Sequence, residues 1–171
     1  MIKIIGSIDN AAIHNNIYYL TFADREIYQF LTMDSKERRK DLFQTQMANP
    51  DRMIPVEGTI SNYNVTQEEV AELVDENLAR GKEIEKNLET RLKETNPSYK
   101  IIPYSDVKDV ELSNGDALAL PHLLLQTNDE KIKYHLISGN FRGRGKLPDE
   151  TFSKYENILM QAFGTLLKVK K

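Results

Sequence analysis

The most site-like stretch of the chain is Gly139-Asn140-Phe141-Arg142-Gly143-Arg144-Gly145-Lys146. Its glycines let backbone N–H groups approach a ligand, and its three cations suit a phosphate or a carboxylate. The expected ligand-binding set is therefore Arg142, Arg144 and Lys146, with Gly143 and Gly145 supplying the close backbone. A nucleotide-binding phosphate loop demands more. It places four residues between its framing glycines and a metal-holding hydroxyl after its lysine. Here five residues separate Gly139 from Gly145, and Leu147 follows Lys146. Nucleotide hydrolysis is not expected. The plain alternative is a solvated turn whose glycines serve backbone geometry and whose cations serve solubility.

Other reactive residue types are scattered. His14, His122 and His135 lack the spacing of a metal-binding pair, so no metal is expected. Glu68, Glu69, Glu72, Asp75 and Glu76 are dense, but they share one outer helix face. Paired catalytic carboxylates need a pocket that drives their two pKa values apart. Ser105 and Ser138 have no identifiable base or orienting acid. The chain has no cysteine, which excludes disulfides, thiolate metal sites and cysteine nucleophiles. The expectation is a protein that is not an enzyme and uses no cofactor.

These residues belong to a chain of 171, enough for one domain carrying a sizeable insertion. With 40% hydrophobic and 29% charged residues, its composition is that of a globular protein rather than a disordered one. No apolar run approaches the roughly 20 residues of a membrane span, and the N-terminus does not resemble a signal peptide. A cytoplasmic protein is the expectation. The net charge of −3 argues against a nucleic-acid partner. The charge is nevertheless polarised: from Lys131 onward nine Lys or Arg face three acids, whereas Thr66–Glu94 holds nine acids and five bases.

The elements follow from periodicity. Residues 1–32 read as three antiparallel strands. Ile2, Ile4, Ile5 and Ile8 start the first, Tyr18–Phe22 centres the second, and Ile27, Tyr28, Phe30 and Leu31 form the third. Asn15-Asn16 supplies a turn pair that tolerates positive φ. A short helix is expected over about 35–47, and Asn49–Asn64 reads as a loop with Pro50, Pro55 and Gly58. Thr66 and Glu69 form a capping pair opening a long helix over about 66–95. Its stripe of Val70, Leu73, Val74, Leu78, Ile84, Leu88 and Leu92 would extend roughly 43 Å at about 1.5 Å per residue. A helix that long would project or pair with another chain, which makes Leu78, Ile84 and Leu88 candidates for self-association. Gly81 marks a weak point or a close contact along it.

Strands resume from Lys100: Val107–Leu112, then Leu118–Thr127 with a bulge or edge at Pro121, then Lys131–Ile137. Phe152, Tyr155, Ile158, Leu159, Ala162 and Phe163 give a final amphipathic helix ended by Gly164, and Leu166–Lys171 reads as a basic tail.

Three strands, an interruption, three or four further strands and a closing helix resemble the order of a pleckstrin-homology-like (PH-like) split barrel. Tyr18-Tyr19-Leu20-Thr21-Phe22 followed by Ile27-Tyr28-Gln29-Phe30 is similar to the second hairpin of bacterial and archaeal PH-like or GRAM-like domains. Ile102-Pro103-Tyr104-Ser105-Asp106-Val107 resembles the phrase that opens their second half, and Lys131–Leu136 their penultimate strand. The resemblance implies an α+β fold: a split antiparallel barrel of six or seven strands capped by a C-terminal helix. The barrel would take residues 1–32 and 101–171, with 33–100 as a helical insertion after the third strand. It also implies a binding or assembly module that docks a protein or peptide partner. Contact of the 139–146 loop with an anionic ligand or membrane headgroup is the second reading, and a homo-oligomer is compatible with either.

Overall fold

A computed structural model of the protein describes residues 2–14, 16–34, 67–94, 99–116, 119–137 and 146–171. In chain order these form β1 (Ile4–Ile13), β2 (Asn16–Ala23), β3 (Glu26–Met33), α1 (Gln67–Lys86), α2 (Leu88–Arg91), β4 (Tyr99–Pro103), β5 (Val107–Ser113), β6 (His122–Thr127), β7 (Lys131–Leu136), α3 (Asp149–Phe163) and β8 (Leu167–Lys170). The short helix expected at 35–47 and the loop around Asn49–Asn64 lie outside the described residues.

All eight strands join one sheet in the order β4-β3-β2-β1-β7-β6-β5-β8. Neighbours are antiparallel except β5 and β8, which run parallel with Leu112 opposite Val169. The fold is thus α+β, with helices between β3 and β4 and a helix after β7, as expected. It departs from the expected six or seven antiparallel strands in being an open sheet of eight. The added strand is the stretch read as a basic tail. Leu167 and Val169 turn toward the main core while Lys168 and Lys170 stay in solvent, a half-buried alternation that satisfies the free edge of β5.

The sheet has two unlike faces. Tyr18, Leu20 and Phe22 from β2, Ile27 from β3, Leu123 and Leu125 from β6, and Ile132, Tyr134 and Leu136 from β7 point to the inner face. There they meet Phe152, Tyr155, Ile158, Leu159 and Phe163 of α3. Each such side chain, once buried, contributes about 1.5–3 kcal/mol, so this layer dominates the fold's stability. Gly164 ends α3 at φ 56, a conformation open to glycine without Cβ strain.

On the outer face, α1 lies over β1–β3, and Leu88 of α2 packs against Ala23, Tyr28 and Phe30 of β2 and β3. This explains why β2 and β3 are apolar almost continuously instead of alternating: both faces are covered. The long helix is shorter than its stripe implies. α1 spans 20 residues, about 30 Å, and the helix breaks at Asn87 before α2 begins. Gly81 is the close contact of the two alternatives. A Cβ there would stand 1.9 Å from Cδ2 of Tyr19, so only glycine lets α1 approach the sheet this closely. The turn between β1 and β2 takes its positive φ at His14 (φ 54). Pro121 precedes β6 rather than bulging within it, and its carbonyl accepts a hydrogen bond from Leu136 N at 2.9 Å.

Candidate functional site

An open sheet has two ends, and they are built differently. β8 is four residues long, with Lys168 paired to Asp109 (3.4 Å) and Lys170 to Glu111 (2.9 Å). Lysines on a short edge strand discourage further strands from adding to it. β4 carries less of that protection: one lysine, Lys100, and Pro103 at its end, with Ile101 and Ile102 between them. It pairs with β3 from Phe30↔Tyr99 to Glu26↔Pro103, and among the described residues no strand pairs with its other side. Its register is firmly held. Ile102 is buried in the main core, and the rings of Tyr99 and Phe30 pack at 5.6 Å. Tyr99 Oη donates to Leu92 O at 3.0 Å, and Lys100 forms an ion pair with Glu130. Just beyond, Tyr104 N donates to Arg25 O at 3.0 Å and Tyr104 Oη to Ala23 O at 2.5 Å. Between these fixtures Ile101 stands 42% exposed, a large apolar side chain at the middle of an open edge. A rigid strand with a free hydrogen-bonding edge and an apolar contact can accept one more strand.

Arg142, Gly143, Arg144 and Gly145 lie outside the described residues. Lys146 is described and is exposed. Both ends of this loop are anchored. Ile137 is buried and its N–H donates to Asn10 O at 3.1 Å. Leu147 is buried and its N–H donates to Asn114 Oδ1 at 2.8 Å. Asn114 in turn donates from its backbone to Lys170 O at 2.8 Å, tying the loop's exit to the basic β8.

Two of the self-association set, Ile84 and Leu88, sit against the chain's own sheet. Leu88 is 4% exposed and packs with Ala23, Tyr28 and Phe30; Ile84 is half-buried beside them, and Leu78 is half-buried on α1. A groove of about 490 Å³ runs between the end of β3 and α1, with Thr32, Arg80, Ile84 and Arg91 in its walls. Its arginines are already engaged: Arg80 with Thr32 O (2.7 Å) and Glu76 (2.7 Å), Arg91 with Glu94 (3.6 Å).

Two polar clusters escaped sequence reasoning. In the first, Glu111 accepts from Lys170 and faces His122 Nε2 at 3.0 Å, while His122 Nδ1 faces Leu120 O at 3.0 Å. Lys170, and after it His122, hold the Glu111 carboxyl below its ordinary range. The alternation of Leu167 and Val169 with lysines was the signal that could have found it. In the second, Ser7 Oγ donates to Glu85, Tyr19 Oη donates to the same carboxylate at 3.4 Å, and Tyr155 Oη donates to Asp9 at 3.2 Å. Burial pushes the Tyr19 phenol up to about 12, with Glu85 and Asp9 adding to it. No local spacing announces this cluster, because it is assembled from β1, β2, α1 and α3, which meet only in the folded chain. Its hydroxyls tie β1 and β2 to α1 and α3.

Ser105 is exposed in the turn before β5, and Glu72, Asp75 and Glu76 are exposed on α1. Among the described residues no three His, Asp or Glu side chains are grouped to hold a metal, and no helix is long and apolar enough to cross a membrane. No family model matches the chain, no curated protein matches its sequence and no solved structure matches its fold.

Proposed function

We propose that the chain is a non-enzymatic binding or assembly module on a PH-like framework, taking an extended segment of a protein partner along β4. The observation that carries the reading is the contrast between the two sheet ends: two lysines alternate along β8, whereas β4 carries one, presents an exposed Ile101 and, among the described residues, has an unpaired side. The framework rests on chain order, three strands, a helical interruption, four strands and a packed helix. Affinity capture with the native protein and with Ile101→Lys, followed by hydrogen exchange on the recovered complex, tests it. The expected result is loss of capture in the variant at unchanged folding, and slowed exchange across Tyr99–Pro103 in the native complex. A complex that leaves β4 exchange untouched removes the reading.

The second reading is capture of an anionic ligand or membrane headgroup by Arg142, Arg144 and Lys146. The exposed Lys146, fixed beside buried Leu147 and tied through Asn114 to β8, favours it. Co-sedimentation with anionic but not neutral vesicles, lost in an Arg142→Ala, Arg144→Ala pair, would promote it. Absence of binding at low salt would dismiss it.

A further inference from the structure

α1 and α3 cover opposite faces of one sheet, and the two contacts are made of different material. α3 sets five large apolar side chains into the main core. α1 offers sparser apolar contact: Val74 meets Ala12 and Ile137, Gly81 crosses the Tyr19 ring, and Ile84, next to the joint, packs beside Tyr28 and Phe30. Between these points the seam is polar. Asn77 and Asn10 are each 1% exposed, and Thr21 is fully buried on the outer face, opposite Ser7.

The hydrogen bonds leave a residue of unmet demand. Asn10 Nδ2 donates to Val74 O (3.0 Å) and Asp9 Oδ2 (2.7 Å), and Asn77 Nδ2 donates to Leu73 O (2.8 Å). Those donors fix which way each amide points, so neither can be reversed to help the other. Asn10 Oδ1, Asn77 Oδ1 and Thr21 Oγ1 are left buried with no hydrogen-bond partner. Buried polar atoms are nearly always paired, and an unpaired one favours any opening that admits water. The helix also carries a joint. α1 ends at Lys86, Asn87 leaves helical geometry (φ −109, ψ 27), and Leu88 of α2 is seated against Tyr28 and Phe30.

We infer that α1 is a built-in cover, lifting from β1 and β2 as a unit about Asn87 while Leu88 stays seated. Lifting exposes Ala12, Tyr19 and Thr21 on the outer face. Four polar tethers hold the closed state: Asn10 to Val74 O, Ser7 to Glu85, Tyr19 to Glu85 and Arg80 to Thr32 O. The device goes beyond the β4 reading and does not depend on it, since it concerns the opposite side of β3's neighbours.

Hydrogen exchange on the full chain across a denaturant series tests it. Amides of 71–86 should exchange roughly a hundredfold faster than those of 152–163, at one common rate and with a shallow denaturant slope. Thr21→Val, which removes one unpaired hydroxyl at constant shape, should slow α1 exchange about tenfold. Equal protection and equal slope in α1 and α3 would overturn the inference. So would protection that grades from one end of α1, which is fraying, or an unchanged α1 rate in Thr21→Val.

Discussion

Tyr134 on β7 donates a 2.5 Å hydrogen bond from its hydroxyl to Oε1 of Gln29 on β3, although β1 and β2 lie between those strands in the ladder. Two side chains can span two intervening strands only if the sheet curls around its inner face. Lys100 on β4 reaching Glu130 in the β6–β7 turn reports the same curl. Tyr134 is fully buried and Gln29 is 9% exposed, so the bond has no solvent substitute. Tyr134→Phe should therefore lower stability by about 1–3 kcal/mol, because it leaves a buried amide oxygen unpaired. A lower urea midpoint at unchanged slope is the expected result. A midpoint equal to that of the native protein would mean the bond contributes nothing and that the curl is set by packing alone.

Gly81 gives a prediction of opposite sign to helix propensity. Alanine is favoured over glycine in a helix interior by about 1 kcal/mol. A Cβ at position 81 would nevertheless meet three ring atoms of Tyr19 at 1.9–2.5 Å. Gly81→Ala should cost about 1–3 kcal/mol net through overpacking, measured by thermal or urea unfolding. Placed in a Tyr19→Ala background, the same substitution should become neutral or stabilising. That coupling separates a steric cause from a backbone one.

How far the fold was legible follows from which contacts are local. β1–β3 and α3 could be read because their apolar patterns are continuous or helically spaced, and because each hairpin pairs with its sequence neighbour. The helix between β3 and β4 was legible from its helically spaced apolar stripe. The break at Asn87 was not, since Leu88 and Leu92 keep helical spacing whether or not the hydrogen-bond ladder is interrupted. β8 was missed because four residues with two lysines satisfy a tail as well as an edge strand, and its partner β5 lies more than fifty residues away. Of the candidate ligand-binding set only Lys146 falls within the described residues, so its chemistry rests on sequence. The β4 edge needed the strand order, which no single stretch encodes.

Glu111 makes an acid limb of stability. Lys170, then His122, depress its carboxyl in the folded chain, whereas an unfolded glutamate titrates near about 4.3. Its contribution is therefore complete above that ordinary value and disappears as pH falls through the lower folded one. Glu111→Gln should flatten the pH dependence of unfolding in this window, and Lys170→Met should move the Glu111 midpoint back toward the ordinary range. Carboxyl NMR titration reads the second effect directly. An unshifted midpoint in the native protein would show that the Lys170 and His122 contacts do not persist in solution.

The alkaline limb is set by tyrosines. Of the eight, Tyr19 is pushed up to about 12, and Tyr28, Tyr104, Tyr134 and Tyr155 are also raised, with burial the first cause in each. Unfolded tyrosines ionise near about 10. Between about 10 and the folded value near 12, the unfolded chain gives up protons that folded Tyr19 retains, so stability falls as pH rises. These five phenols should ionise together with loss of structure, above the range of unfolded tyrosine. Tyrosinate absorbance followed alongside circular dichroism checks this. These five phenols titrating reversibly near about 10 with the fold intact would contradict the burial of Tyr134 and Tyr155, and with it the packing of α3 against the sheet.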